Sequence, residues 1–169
     1  AFTVNGFDRP SLFMQQIEMS GGGILVPGEG DMQGEVSALL TYLVDGLELD
    51  DAGAAQAFGD QISGVFEASR TEGSPTRISQ FTLEGPGIEA LADATIRGTE
   101  AGLRTQTNLI LTVNALERFS QLAGRELAGA AEIAITGTVA PLDGMFDLIV
   151  SGTTDDLAVG IPQLDAVFK

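Results

Sequence analysis

The chain has 169 residues, of which 44% are hydrophobic and 19% are charged, and its formal net charge is −16. This balance is too apolar for intrinsic disorder, and the negative charge makes nucleic acid a poor partner. The sequence contains no Cys and no His, which excludes disulfides, thiolate metal sites and the most common general base.

The pattern of apolar residues in the first part of the chain predicts strands separated by polar turns. Apolar residues recur with period two at about 12–19, 35–44 and, after a short interruption, 62–69. The glycine clusters Gly21–Gly23 and Gly28–Gly30 lack the Lys and Ser or Thr that complete a phosphate-binding loop. They are interpreted as hairpin turns or a flexible excursion.

An acidic cluster follows the second of these strands. It has the wrong spacing for a calcium-binding loop, and we expect neither a metal nor a cofactor there. The cluster consists of Asp45, Glu48, Asp50 and Asp51. We interpret it as a polar turn that ends in a helix cap at Asp50 or Asp51, followed by a short helix from Ala52 to Gly59.

Four further strands are predicted to end at a glycine, often followed by Thr. These glycines are Gly85, Gly98, Gly137 and Gly152. Glycine releases the chain where a strand must bend or turn, and the spacing leaves room for one strand and a tight turn. Consecutive strands are therefore predicted to pair antiparallel.

Two more helices are predicted in the last third. Asn114 and Glu117 have capping-box spacing, and a stripe from Leu116 to Leu122 leads to Gly124, which gives a helix of about ten residues. Another is predicted to begin at Pro162. The first of the two, which includes Phe119, would either fill the space over the sheet or cap a sheet edge; edge capping is the preferred interpretation.

Three neighbouring strands carry matched apolar rows. The strand at about 103–113 has Asn and Thr on its other side, so the three rows are predicted to form one continuous face. Such a face is either the closed core of a domain or an open trough that faces lipid. The residues predicted to face lipid are Leu109, Leu111, Val113, Ile133, Ile135, Phe146, Leu148 and Val150.

The segment 114–129 (NALERFSQLAGRELAG), the strand 132–139, PLDG at 141–144 and FDLIVSG at 146–152 together resemble the TamB family of translocation and assembly module subunits in its alphaproteobacterial form. The segments 43–50 and 156–165 fit the same family, which has AsmA-type relatives. The resemblance covers most of residues 35–168. It implies an internal segment of a longer protein, divided at 113/114 into a first sheet part and a helix-strand-strand-helix unit.

The resemblance implies a fold and a role. The expected fold is mainly β, a curved, open-ended antiparallel sheet with two or three short helices. The expected role is that of a conduit for phospholipid acyl chains in a periplasmic protein anchored in the inner membrane by a segment not present here. Other parts of such a protein would work with the outer-membrane barrel-assembly proteins TamA or BamA.

Two other function classes compete with this expectation. A β-sandwich or repeat module of a bacterial surface adhesin would have a closed core and bind no lipid. A polysaccharide hydrolase would need a carboxylate pair, but the adjacent Asp155 and Asp156 point in different directions on a strand. We therefore expect no enzyme activity.

Overall fold

The computed structural model describes residues 1–9, 12–30, 33–98 and 102–161, and they form one antiparallel sheet. Each strand pairs with the next in the chain, as predicted. Within the described residues the sheet is not closed, because β1 and β9 lie at opposite edges. The strands are β1 (Phe2–Arg9), β2 (Leu12–Val26), β3 (Glu35–Leu49), β4 (Gln61–Thr71), β5 (Thr76–Gly85), β6 (Ile88–Gly98), β7 (Leu103–Val113), β8 (Ala128–Ala140) and β9 (Met145–Ala158).

Two short α-helices accompany the sheet. Helix α1 (Ala52–Phe58) has the predicted cap, since the Asp51 carboxylate accepts a hydrogen bond of 2.7 Å from the Ala54 N–H, and it ends at Gly59 as predicted. Helix α2 (Ser120–Ala123) follows a 3₁₀ turn at Leu116–Phe119, and another 3₁₀ turn, Pro141–Asp143, joins β8 to β9. The helix predicted from Pro162 lies outside the described residues.

The predicted capping box at Asn114 is wrong. The helical segment begins only at Leu116, with Ala115 before it and no side-chain cap, and its first turn is 3₁₀. The Asn114 N–H is instead bonded to the Gly87 carbonyl, at 3.0 Å. That bond holds Asn114 against the β5–β6 turn, so the helical segment is shorter than predicted. Its predicted end is confirmed, because Gly124 adopts the left-handed conformation.

The interpretation of Gly21–Gly23 as a hairpin turn or flexible excursion is wrong, and two glycines predicted to end strands also lie inside them. Strand β2 runs through Gly21–Gly23, and β8 and β9 continue past Gly137 and Gly152. A side chain at Gly21 would lie 2.8 Å from the Leu40 Cα, and one at Gly152 would lie 2.9 Å from the Glu132 carbonyl oxygen. These glycines allow close approach of the neighbouring strand. Gly85 and Gly98 do end β5 and β6.

The register gives the sheet two chemically different faces. Residues directly opposite each other in an antiparallel ladder project to the same side. Leu109 is paired with Ala92 on β6 and with Ile135 on β8, so the three residues lie on one side of the sheet. We call this side the apolar face. The opposite side, which we call the polar face, carries Asn108, paired with Asp93 and Thr136.

Candidate functional site

All eight residues predicted to face lipid lie on the apolar face. In the β7–β8 ladder Leu109 is opposite Ile135, and Leu111 is opposite Ile133. In the β8–β9 ladder Ile135 is opposite Val150, and the remaining members follow by alternation. The sequence rows therefore meet in one continuous patch across three strands.

The apolar face extends much further than the sequence rows indicated. The strand pairing extends the face from β6 back to β1. The register shifts only in the β4–β5 and β5–β6 pairs. The alternation of apolar and polar residues within each earlier strand could have predicted this extension, but glycines and alanines make the alternation less clear. The added members include Val4, Ile17, Met19, Leu40, Tyr42, Val44, Phe66, Ile78, Phe81, Leu83, Ile88, Ala90, Ala92, Ala94 and Ile96.

Most of this face is only half-buried. Among the described residues, the buried apolar side chains are few: Leu47, Ala57, Ile88, Val113 and Ala140. On β9 the apolar face is open to solvent, with Phe146 exposed by 64% and Val150 by 63%. The polar face is not free of exposed apolar residues either, since Ile110 and Ile149 lie on it. The difference is that they stand among charged and hydroxyl side chains.

The helices cover one end of the apolar face, which we call the covered end. A side chain at Gly85 would lie 3.3 Å from Ile88 and 3.7 Å from the Phe58 carbonyl oxygen, so the end of α1 stands over this face. The rings of Phe58 and Phe119 pack edge to face at a centroid distance of 6.1 Å. Ile88 and Val113, which pair with each other at this end of the β6–β7 ladder, are buried.

Glycine also sets the distance between the two helical segments. A side chain at Gly53 would lie 2.7 Å from the Leu122 backbone nitrogen, so only glycine allows this approach. The Arg118 Nε donates a 3.5 Å hydrogen bond to the Ala57 carbonyl. The main strand contacts of the helical segments are with β3 and β8, which are interior strands. The predicted capping of a sheet edge is therefore wrong, and covering the apolar face is the observed arrangement.

Tyr42 places a polar group near the middle of the apolar face. Its hydroxyl donates a 2.7 Å hydrogen bond to the Thr82 carbonyl, and its ring lies over Gly64, where a side chain would come within 2.6 Å of the ring carbon. The Val65 N–H bonds to the Thr82 hydroxyl at 2.9 Å, where the β4–β5 ladder is interrupted. Burial first, and the nearby Glu84 carboxylate second, raise the pKa of Tyr42 above 10.0.

The polar face is held by side-chain hydrogen bonds between strands. Asn108 donates to the Asp93 carboxylate at 2.9 Å and accepts from the Thr136 hydroxyl at 2.5 Å, which links β6, β7 and β8. Asp155 is paired with Ala130 at a register shift of β9, and Asp156 next to it has a positive φ of 48°. Neither belongs to a metal-binding group of three or more residues, and residues 1–9, 12–30, 33–98 and 102–161 contain no such group.

Comparison with known proteins adds no identification. No family model, no curated protein and no solved structure matches the chain. Across the part of the chain that the structure describes, no helix has both the length and the hydropathy that a bilayer span requires. The site must therefore be interpreted from its own geometry.

Proposed function

We propose that this chain is a lipid-conduit segment of a TamB-like protein that spans the periplasm and takes part in phospholipid transport and outer-membrane protein assembly. The observation that carries the proposal is the apolar face itself, which runs through all nine strands and which the helical segments among the described residues cover at one end. A contiguous exposed apolar patch of this kind marks a binding surface.

The chemistry of the face suits acyl chains better than a protein core. Its side chains are mainly aliphatic, and a bound methylene removed from water contributes about 0.8 kcal/mol without any directional contact. An adhesin-type sandwich would cover such a face with a second sheet, whereas the described residues form a single sheet. The resemblance of 114–152 to TamB-family segments supports the same role, including the periplasmic location and a TamA or BamA partner bound elsewhere.

The test uses two neighbouring residues of β9 that lie on opposite faces. Leu148 lies on the apolar face and is exposed by 42%, whereas Ile149 lies on the polar face and is exposed by 67%. Both therefore accept Asp without a buried charge. We expect Leu148→Asp to lower the phospholipid that copurifies with the chain from bacteria, because a carboxylate beside an acyl chain is costly. Ile149→Asp should leave it unchanged.

The measurement is mass spectrometry of lipid extracted per folded chain, with the folded fraction matched by circular dichroism. Wild-type protein without phospholipid, or an equal loss in the two variants, contradicts the conduit role. In the first case the adhesin-type binding module becomes the better interpretation.

A further inference from the structure

The edge strand β9 leaves a long row of backbone groups without a neighbouring strand among the described residues. It has 14 residues, whereas β1 at the opposite edge has 8. The β1–β2 ladder also skips Gly6, which has a positive φ of 67°, so that edge is interrupted. Over residues 145–155 the β8–β9 ladder keeps one register without a break. The outer side of β9 therefore presents a regular row of N–H and C=O groups.

The usual protections of a sheet edge are missing from β9. Proteins protect such edges with lysines, prolines, bulges or covering segments. The strand contains no Lys, Arg or Pro, and Asp147 is the only charged residue from Met145 to Thr154. The register shift of the β8–β9 ladder lies beyond Asp155. An edge of this composition is suited to pairing with another strand.

Apolar side chains on both sides of β9 are more exposed than their neighbours on β8. Val150 is exposed by 63%, although Ile135, directly opposite it on β8, is half-buried between two strands. On the polar face Ile149 is exposed by 67% and has no part in the proposed lipid binding. A further strand beside β9 would cover both residues in the way that β7 and β9 cover Ile135.

The sequence of β9 is complementary to itself when a second copy runs antiparallel. The unbroken stretch 145–155 has Val150 at its centre, so a two-fold axis through Val150 pairs the whole stretch. In this register Asp147 lies opposite Thr153 of the second copy, and no charges of the same sign are opposed. Moving the axis one residue toward the end of the strand would place Asp147 opposite Asp155, which is destabilising.

We propose that β9 pairs with β9 of a second copy of this chain, antiparallel and about a two-fold axis through Val150. Directly opposite residues project to the same side, so the apolar faces of the two copies lie on one side. The nine strands of each copy then form one sheet with a continuous apolar face. The inference does not depend on the proposed function, although such a dimer would lengthen the lipid-binding surface.

The size of the interface predicts a weak dimer. Pairing of 145–155 uses eleven residues from each copy, compared with roughly 20–30 in an interface of standard size. It forms about ten backbone hydrogen bonds, as many as a typical interface contains. We therefore expect a dissociation constant on the order of 10 µM for the wild-type chain in sedimentation velocity. A chain that stays monomeric at a concentration about twentyfold higher would overturn the proposal.

A single cysteine tests the position of the axis, because the chain contains none of its own. In Val150→Cys the two thiols lie on directly opposite residues, whose Cα atoms are about 4.5–5.5 Å apart, within the span of a disulfide. The control Ile149→Cys is at least as exposed, at 67% against 63%, but its two copies are diagonal neighbours about 7–8 Å apart.

Both cysteine variants are oxidised with glutathione disulfide and separated by electrophoresis without reductant. We expect Val150→Cys to form the cross-linked dimer about tenfold faster, because only its Cα distance suits a disulfide. Equal rates would indicate random collision, and a faster reaction of Ile149→Cys would indicate another register. Either result would overturn the axis through Val150.

A lysine at each edge separates this dimer from pairing between β9 and β1. Val150→Lys opposes two like charges at the axis and should weaken the dimer about tenfold or more. Phe2→Lys places the same charge on β1, at a residue exposed by 60%, and should leave the dissociation constant unchanged. If Phe2→Lys weakens association as much as Val150→Lys, β9 pairs with β1 of the next copy and the two-fold dimer is overturned.

Sedimentation and the lipid measurement give separate answers about the dimer and the conduit role. A chain that carries phospholipid but does not dimerise contradicts the dimer and leaves the conduit role standing. A dimer that carries no phospholipid supports the pairing of β9 and contradicts the conduit role.

Discussion

Val113 and Val150 belong to the same face of the same sheet, yet their surroundings differ completely. Val113 lies at the covered end and is exposed by 6%, whereas Val150 lies on the edge strand β9 and is exposed by 63%. The sequence pattern around the two residues is the same alternation of apolar and polar side chains. Their difference arises from what lies above the sheet: the helical segments at one end and nothing among the described residues at β9.

The comparison shows that one part of the apolar face is buried and stabilises the fold, whereas another part of the same face is exposed. Burial near α1 and the Leu116–Phe119 turn stabilises the fold locally, and the buried residues at this end include Ala57, Ile88 and Val113. The rest of the apolar face contributes through half-buried contacts between neighbouring strands. The proposed lipid binding requires an open face, and the face stays open because the buried residues lie at one end.

The largest expected effect comes from placing a charge at each of the two valines. Val113→Asp buries a carboxylate with no partner and should lower the free energy of unfolding by about 3 kcal/mol or more. Val150→Asp leaves the carboxylate in water and should change it by less than about 0.5 kcal/mol. Urea denaturation followed by circular dichroism measures both, and equal losses would show that the covered end is not the stabilising region.

The second effect tests whether the helices are seated tightly on the covered end. Gly53→Ala places a methyl group 2.7 Å from the Leu122 backbone nitrogen. Overpacking typically costs about 1–3 kcal/mol, which exceeds the gain of at most about 1 kcal/mol from the higher helix propensity of Ala. We therefore expect a net loss of about 1–2 kcal/mol in urea denaturation.

The matched control is Gly22→Ala in β2. Its added methyl group would meet no atom within 4 Å, and Gly22 does not have a positive φ. We expect a change within about 0.5 kcal/mol, because only the entropy of the unfolded chain is affected. A Gly53 variant as stable as this control would mean that the helical segments move apart at little cost.

Much of the face could be predicted from the sequence, because side-chain direction alternates strictly along a strand. The rows containing Leu111, Ile133 and Leu148 were placed correctly for that reason, and so was the Asp51 cap, whose carboxylate acts only three residues away. Glycine was ambiguous. The same residue ends β5 at Gly85 and lets β2 pass close to Leu40 at Gly21, and the choice depends on the neighbouring strand.

A cavity lined by residues from the ends of β4 and β6 could not be predicted in this way. Arg70 and Arg97 are distant in sequence and lie on different strands, and only the register of β4, β5 and β6 brings them to one cavity. The Asn114 capping box failed for a similar reason. Its local spacing was correct, but a contact with the β5–β6 turn took the backbone elsewhere.

The smallest effect concerns Tyr42, which lies in the middle of β3. Tyr42→Phe keeps the ring over Gly64 and removes the 2.7 Å hydrogen bond to the Thr82 carbonyl. We expect a loss of about 1 kcal/mol in urea denaturation at neutral pH, because one partly buried hydrogen bond is lost. No measurable loss would mean that packing of the ring alone holds β3 against β5.

The pH dependence gives an independent measure of the same group. Burial and Glu84 raise the pKa of Tyr42 above 10.0, so the folded state keeps its proton at pH values where the unfolded state releases it. Stability conferred by the neutral hydroxyl is therefore fully present below pH 10.0 and falls as pH rises from there through the folded pKa. Tyr42 is the only tyrosine, so the ultraviolet absorbance of the phenolate reports its titration directly. A midpoint at or below 10.0 would place the hydroxyl in water, and Tyr42→Phe should remove this part of the alkaline loss of stability.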